Sequence, residues 1–416
     1  MKLAIILIYA AVTLFNIFLI LLSYRHRNAP IPENVQDVYD EETYKKRMAY
    51  VMEHTRLNIA SSLVSLAVFV IVMTLNLHSA FFNAITPHIS NYYIQTFLLF
   101  AMLTAIGIPF NIISSAIATF KVEAKYGFNR TSAGTFVVDL IKRYVIMGAA
   151  AFGVLSLFLI MYDWLGNWVF VAFVGTLLIL ILLLRFFMRF IIRIHYKLTP
   201  LEEGSLRDKI AKLGKETDFD LKNIFVVNAS RRTTKQNAMF TGFGKTKTIM
   251  LYDNLVNNYE DEEILSILAH EIGHAKHKHG FVTIPLQALS FGILTAVAFF
   301  AVNSTELSHA FGFSEINVGF SLSAVAVAVS PLMLIFGLLR NAVSRKHEFQ
   351  ADDYAVRHVG VEPSLSVEKK LARDNFGNLT PHPLIVAVHY THPPVSARVA
   401  NIEQKGEKYR NEAQNH

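Results

Sequence analysis

Seven stretches of about 20 mostly apolar residues dominate the sequence, and each is long enough to cross a bilayer as a helix. They lie at 3–24, 59–77, 94–116, 144–164, 168–184, 281–303 and 316–339. Hydrophobic residues make up 53% of the 416-residue chain and charged residues only 17%, a balance typical of membrane proteins and not of soluble domains of this length. We therefore predict an all-α membrane protein with seven transmembrane helices.

The distribution of Lys and Arg between these stretches predicts the orientation of the chain. The loop 25–56 carries six basic residues and the loop 121–143 carries five, whereas 78–93, 163–167 and 304–315 carry none. Because cytoplasmic loops are enriched in Lys and Arg, we expect the N-terminus outside and the C-terminus in the cytoplasm. The net charge of +7 is then explained by loops that face anionic membrane lipid, and no nucleic-acid partner is expected.

Two polar segments, 195–280 and 340–416, separate the chain into four parts. Residues 1–194 hold the first five transmembrane helices with their loops, and residues 281–339 hold the sixth and seventh. Neither polar segment is long enough to form a comfortable core alone, so we expect the two to build one small domain together on the cytoplasmic side.

The first polar segment is also expected to contain β-structure. The β-branched runs at 223–227 and 246–252 lie on either side of Gly242 and Gly244, which predicts a small sheet or hairpin. The domain is therefore expected to be α+β.

A metal-binding motif lies in the first polar segment, where residues 268–274 read LAHEIGH. Two histidines four residues apart on a helix, His270 and His274, share one face and can hold one metal ion. Glu271 follows the first histidine and is placed to act as general base, as in H-E-x-x-H zinc metallopeptidases. We expect this helix to run to about Gly280, with His277 and His279 as solvated residues on its basic last turn.

A catalytic zinc site needs a third protein ligand, and a helical-looking stretch, 344–353, offers one. The chain has no cysteine, so only histidine and carboxylate ligands are available. Glu348 and Asp352 share a helix face: Glu348 is predicted to complete the zinc site, and Asp352 to accept the N–H of a ligand histidine. His347 is a rival ligand by type, but it lies about 100° from Glu348 around a helix. One zinc ion per chain is expected.

These motifs together resemble the CAAX prenyl protease 1 family of multi-spanning zinc metallopeptidases. HEIGH followed by SRKHEFQAD carries most of the resemblance. Further similar segments are KYGFNRT at 125–131, LTPL at 198–201, NAMFTGF at 237–243, NLTPHP at 378–383 and THPP at 391–394.

The resemblance implies a fold and roles for further residues. The seven helices would form a barrel around a water-filled chamber, which the zinc metallopeptidase domain closes on the cytoplasmic side. His392 and Arg398 would stabilise the oxyanion that develops on the scissile carbonyl, a place where such donors are required. The strand beginning at Asn237, with Ala238 and Phe240, would bind an extended peptide substrate along its edge.

The resemblance also implies peptide or protein substrates, among them prenylated CaaX proteins that lose their last three residues. The short outer loops make the chain similar to bacterial members, which predicts the bacterial inner membrane as its location, or the endoplasmic reticulum if it is eukaryotic. In a bacterial member, a quality-control peptidase without prenyl specificity is an alternative.

Three other functions fit parts of the sequence. A site-2-type intramembrane protease would need its H-E-x-x-H inside a hydrophobic span, whereas 262–280 is strongly polar. A metal-regulated transporter or channel would have no use for Glu271 beside the first histidine, and its spans would usually carry buried charges. A chaperone or scaffold without catalysis would also not need Glu271, so its substitution by alanine separates both from the peptidase.

Overall fold

The computed structural model describes residues 1–219, 223–241 and 248–415, and for Phe240 and Thr241 the backbone alone. Most of these residues are helical. The helices that precede the first polar segment are α1 (Lys2–Arg25), α2 (Glu41–Thr74), α3 (Leu77–Ile85), α4 (Tyr92–Ala116), α5 (Ala133–Leu165) and α6 (Val169–His195). A π-helical stretch, Ile117–Glu123, continues α4.

Several of these helices begin at side chains that accept a backbone N–H of the first turn. Asp40 accepts the N–H of Thr43 at 2.7 Å, ahead of α2. Asn91 and Ser132 do the same ahead of α4 and α5. Capping of this kind satisfies amide groups that have no partner within the helix, and therefore fixes where each helix starts.

Long apolar helices are as prominent as the sequence predicts, but the predicted count of seven is not confirmed. Within the described residues, five helical segments are long and apolar enough to cross a membrane, or up to six if one bent pair counts as a single span. The bent pair is α13 (Val318–Ala328) with α14 (Ser330–Val359), at an angle of 48°. One of the five, Ala133–His195, covers two of the predicted stretches, because α5 and α6 are separated only by the short 3-10 turn Gly166–Trp168.

The remaining helices lie in the polar segments and their connections, except that α10 and α11 together form His279–Val302, one of the five long apolar segments. They are α7 (Ser205–Glu216), α8 (Asp253–Asn258), α9 (Asp261–Lys276), α10 (His279–Val282), α11 (Ile284–Val302), α12 (Thr305–Ala310), α15 (Val361–Asp374), α16 (Pro383–His389) and α17 (Val395–Gln414).

A four-stranded sheet lies beside these helices, in the order β1-β2-β4-β3. Its strands are β1 (Leu198–Pro200), β2 (Ile224–Val227), β3 (Ala238–Thr241) and β4 (Thr248–Tyr252). The two predicted strands are therefore present as β2 and β4, and they pair in parallel, while β1 and β3 pair antiparallel on either side. Gly242 and Gly244, the predicted turn residues, lie outside the described residues.

The two polar segments share one hydrophobic core. Ile210 of α7, Leu251 of β4 and Leu268 of α9 are fully buried in it, and Ala355 and Val367 of the second segment pack against them. Burying each of the large side chains stabilises the fold by about 1.5–3 kcal/mol. Helix α9 packs lengthwise against α14, and this pairing brings the residues of the two predicted metal motifs together.

Candidate active site

Helix α9 presents the two histidines of the H-E-x-x-H motif to α14. Its start is fixed by a capping box, in which Glu260 and Glu263 each accept the other's backbone N–H. The Nε2 atoms of His270 and His274 are 3.1 Å apart. The helix ends at Lys276, not near Gly280 as the sequence suggested, because the chain turns sharply at Lys278, which has a φ of +55°.

Glu348 of α14 completes a three-residue cluster with these histidines. Its Oε2 lies 3.4 Å from Nε2 of His270, and its Oε1 lies 3.4 Å from Nε2 of His274. One possible ligand atom from each residue can be chosen so that all lie within 4.8 Å of one another. Zinc at about 2.0–2.1 Å from tetrahedral ligands separates those ligands by roughly 3.3 Å, so the spacing fits this metal.

A second observation supports a cation at this position. The Oε2 atom of Glu348 is buried and has no hydrogen-bond partner among the described residues. An unpaired buried carboxylate oxygen is costly unless a cation or a hydrogen bond compensates it. A metal ion between Glu348 and the two histidines would supply that compensation, so these residues fit a metal ligand set.

Asp352, one turn after Glu348, holds His270. Its Oδ1 lies 2.9 Å from Nδ1 of His270, and the guanidinium of Arg398 donates to both carboxylate oxygens at 2.6 and 3.0 Å. Burial raises the pKa of Asp352, but the charge of Arg398 and the hydrogen bond to His270 outweigh it and lower that pKa to about 2. Because the carboxylate stays ionised, Nδ1 of His270 is the protonated nitrogen and Nε2 is left to bind a metal.

Arg398, predicted from sequence as an oxyanion donor, is largely buried and paired with two carboxylates. Its Nη1 lies 2.6 Å from Glu368 and its Nη2 lies 2.6 Å from Asp352. Burial opposes the charged form, but the neighbouring Glu368 and Asp352 carboxylates prevail and raise the pKa of Arg398 further above its ordinary range. The contacts of the guanidinium thus serve Asp352 directly, and its role towards an oxyanion stays a prediction.

His392 lies beside Glu348 of the cluster. Its Nε2 is 3.5 Å from Oε1 of Glu348, and 64% of its side chain is exposed. Nδ1 is 3.0 Å from the hydroxyl of Thr391. Nε2 is therefore near the expected metal position and open to a ligand, as an oxyanion donor must be.

A cleft of about 220 Å³ joins the predicted catalytic residues to the sheet. Glu271 lies on it together with His270 and Glu348, and so do Asn237 and Ala238 at the start of β3. The residues that bear on the proposed chemistry are Asn237, Ala238, His270, Glu271, Glu348, Asp352, His392 and Arg398.

Strand β3 forms one edge of the described sheet, as the expected peptide-binding strand should. The carbonyl of Asn237 accepts the N–H of Tyr252, so Asn237 faces β4. Hydrogen-bonding directions alternate along an antiparallel strand, so the backbone groups of Ala238 and Phe240 face the open edge. Gly242, at the end of the predicted segment, lies outside the described residues.

The sequence analysis missed two residues that support the site. Asn375 binds the backbone of Gln236 just ahead of β3, through Oδ1 at 3.1 Å and Nδ2 at 3.3 Å. His279 was expected to be solvated but is 5% exposed, and it contacts His274 and Gln350. Its position five residues after His274 gives no helical signal, because it depends on the turn at Lys278.

Comparison with known proteins agrees with this geometry. The sequence pattern of peptidase family M48 matches residues 200–405, and that of the CAAX prenyl protease N-terminal region, five membrane helices, matches residues 20–193.

Relatives match over most of their length. The chain is 34% identical to CAAX prenyl protease 1 homolog of Oryza sativa over 311 residues, 73% of this chain and 71% of that one. It is 30% identical to probable CAAX prenyl protease 1 of Schizosaccharomyces pombe, over 91% and 83% of the two chains.

A solved structure shares the fold. The crystal structure of Ste24p from S. mikatae superposes with a TM-score of 0.91 at 24% identity, and covers 97% of this chain and 99% of that one. The matched family patterns, the relatives and the cluster of His270, His274 and Glu348 lead to one conclusion: the chain is a membrane metalloendopeptidase that belongs to the CAAX prenyl protease 1 family within peptidase family M48.

Proposed function

We propose that the protein binds one zinc ion through His270, His274 and Glu348 and hydrolyses peptide bonds at the cytoplasmic face of the membrane. The observation that carries this proposal is the 3.1–3.4 Å spacing of the three ligands around a buried, unpaired carboxylate oxygen. Held by these three side chains, zinc would supply Lewis acidity for the scissile carbonyl and for the attacking water.

The remaining chemistry belongs to side chains around the metal cluster. Glu271 lies on the cleft beside the ligand His270 and is free to accept the proton of the attacking water and return it to the leaving amine. His392 donates from Nε2 to the oxygen of the scissile carbonyl as negative charge develops there. Arg398 contributes positive charge to the same end of the cleft while it holds Asp352.

Substrate binding uses the open edge of β3. An extended peptide that pairs with the outward-facing backbone of Ala238 and Phe240 lies along the cleft that contains the catalytic groups. Backbone pairing makes little demand on sequence, so additional selectivity has to come from other parts of the substrate.

For the substrate itself, we propose prenylated proteins with a C-terminal CaaX sequence, from which the last three residues are removed. The support is the naming of the relatives as CAAX prenyl proteases. Peptides without a prenyl group are expected to be cut more slowly than prenylated ones. Equal cleavage rates for the two peptides would favour a quality-control peptidase.

We further propose seven spans with the N-terminus outside and the C-terminus in the cytoplasm. Counting α5 and α6 as two spans and the bent pair α13 and α14 as one gives this number. The loop charges support the orientation, since 25–56 and 121–143 are basic. A bacterial inner membrane and a water-filled chamber between the helices complete the proposal.

The test is cleavage of a farnesylated CaaX reporter and of the same peptide without the farnesyl group. Detergent-purified wild type, Glu271→Ala, and wild type treated with a zinc chelator are compared, with the zinc content of each preparation measured. Cleavage by wild type alone is expected, with activity restored when zinc is added back. Stoichiometric zinc without cleavage of either peptide would contradict the proposal.

A further inference from the structure

A short chain of hydrogen bonds leads from His274 away from the metal cluster. Nδ1 of His274 lies 2.8 Å from Nδ1 of His279, and Nε2 of His279 lies 2.9 Å from Oε1 of Gln350. Gln350 is on α14, between Glu348 and Asp352. The same turn of α14 thus offers a metal ligand, a partner for His270 and, through His279, a partner for His274.

The direction of donation along this chain determines which nitrogen of His274 can bind a metal. An amide oxygen only accepts, so Nε2 of His279 carries the hydrogen that is donated to Gln350. In a neutral imidazole the other nitrogen, Nδ1, then accepts, and it receives the N–H of His274 Nδ1. His274 is left with a lone pair on Nε2, the atom that lies 3.4 Å from Glu348.

The reverse direction of donation would prevent His274 from binding a metal through Nε2. If Gln350 donated from its amide nitrogen, His279 would donate from Nδ1 and His274 would carry its hydrogen on Nε2, facing the metal position. Only one direction of donation along these hydrogen bonds is therefore compatible with His274 as a ligand.

We propose that His279 and Gln350 are positioning residues that fix the metal-binding tautomer and ring orientation of His274. The inference rests on the proposed zinc site and goes beyond it, because neither residue touches the metal position or the substrate cleft. His270 is held by a carboxylate and His274 by a neutral pair, so His274 is oriented without adding another buried negative charge to those of Glu348, Asp352 and Glu368.

A backbone turn at Lys278 places His279 next to His274 of α9. Lys278 has a φ of +55°, a left-handed conformation that is uncommon for a residue other than glycine and tends to occur where function requires it. The ring of His279 then stacks on that of His347, with centroids 3.9 Å apart and an interplanar angle of 5°. Stacking fixes the ring plane, so that both nitrogens meet their partners.

Two substitutions of His279 separate positioning from packing. His279→Leu removes both hydrogen bonds. His279→Asn keeps an oxygen acceptor at the position of Nδ1, within reach of His274, and loses only the bond to Gln350. His277→Leu is the matched control, because His277 is a neighbouring exposed histidine that stacks on His279, with centroids 5.4 Å apart, but has no hydrogen bond to His274 among the described contacts.

Zinc affinity is measured by competition with a fluorescent chelator, and the absorption spectrum of the Co²⁺-substituted protein reports ligand geometry. We expect zinc affinity to fall about 10- to 100-fold in His279→Leu. His279→Asn is expected to recover most of that loss together with the wild-type Co²⁺ spectrum, and His277→Leu to match wild type.

Unchanged affinity in His279→Leu, or equal losses in the Leu and Asn variants, would overturn the positioning role. The melting temperatures of the zinc-free variants show whether either substitution acts through folding instead. A failure of the proposed zinc site itself would be distinct, because wild type would then bind no zinc, and this outcome would overturn both proposals.

Discussion

Gly273 of α9 lies directly against Tyr354 of α14. A β-carbon on Gly273 would be 2.9 Å from Cβ of Tyr354 and 3.1 Å from Cα of Ala351. Real β-carbons essentially never approach so closely, so only glycine allows the two helices this separation. The distance between the helices in turn sets the distance from His270 and His274 to Glu348, which makes Gly273 a determinant of the geometry of this three-residue cluster.

Gly273→Ala is therefore expected to weaken zinc binding as well as the fold. The neighbouring Cα of Ala351 is backbone and cannot rotate away, so α14 has to shift, at a cost of about 1–3 kcal/mol. Zinc affinity and the melting temperature of purified protein test this. Gly337→Ala is the matched control and should match wild type. Gly337 lies on α14, the partner helix of α9, and an added β-carbon there would meet nothing within 4 Å. A Gly273→Ala protein with wild-type zinc affinity would contradict the argument.

Glu271→Gln is expected to retain zinc and lose activity. Glu271 lies on the cleft but is not part of the three-residue ligand cluster. General-base catalysis contributes typically 10²- to 10⁴-fold, so a fall in kcat of that order is expected with one zinc per chain still bound. Steady-state kinetics and metal analysis of the same preparation decide the matter. Loss of zinc along with activity would instead make Glu271 part of the metal site.

The faces that carry the proposed metal ligands could be predicted from sequence because helical geometry is periodic. His270 and His274 are one turn apart on α9, and Glu348 and Asp352 are one turn apart on α14, so each pair lies on a single helix face whatever the rest of the fold does. The sequence pattern did not predict that α9 and α14 pack against each other. Their contact was expected only because a zinc site needs a third ligand.

What the sequence pattern missed depends on turns and tertiary contacts. His279 was expected on the solvated end of a longer helix, yet the left-handed turn at Lys278 buries it. Asn375 supports the start of β3 from 139 residues away, a contact that no local pattern announces. The enclosure of Arg398 between Asp352 and Glu368 likewise follows from the packing of α17 against α14 and α15.

Ala238→Pro is expected to weaken the binding of unprenylated peptides without disrupting the sheet. The N–H of Ala238 faces the open edge, and proline is tolerated at the first residue of an edge strand. Loss of one backbone hydrogen bond should raise KM about 3- to 10-fold with little change in kcat. Met239→Pro removes an N–H that faces β4 and should lower stability instead. An unchanged KM in Ala238→Pro would argue against substrate pairing at this edge.

Asp352→Asn is expected to lower zinc affinity about 10- to 100-fold, since partners of this kind orient the ligand and raise its basicity. The substitution keeps an oxygen acceptor for His270 but removes the charge that pairs with Arg398. Chelator competition measures the change. Asp353→Asn is the control: its carboxylate contacts Tyr409 and Lys405, away from the cluster, and zinc affinity should stay at the wild-type value. Equal effects of the two substitutions would exclude a specific role for Asp352.

Glu263 is expected to make the stability of the zinc-free protein depend on pH in the acid range. Its side chain is 3% exposed and accepts hydrogen bonds from Lys370 and Ser366 of α15. Although burial raises the pKa of Glu263, these partners lower it below its ordinary value of 4.5.

A carboxyl group whose pKa is lower in the folded state stabilises the fold above its ordinary pKa and loses that contribution as the pH falls through the lowered value. Thermal melts of wild type between pH 7 and 3 should therefore show a loss below about pH 4.5 that is smaller in Glu263→Gln, which keeps the helix cap. At pH 7 the variant should be less stable by about 1–3 kcal/mol, because Lys370 loses its charged partner. If the stabilities of the two proteins changed with pH in parallel, the ionised carboxylate of Glu263 would not contribute to the packing of α9 against α15.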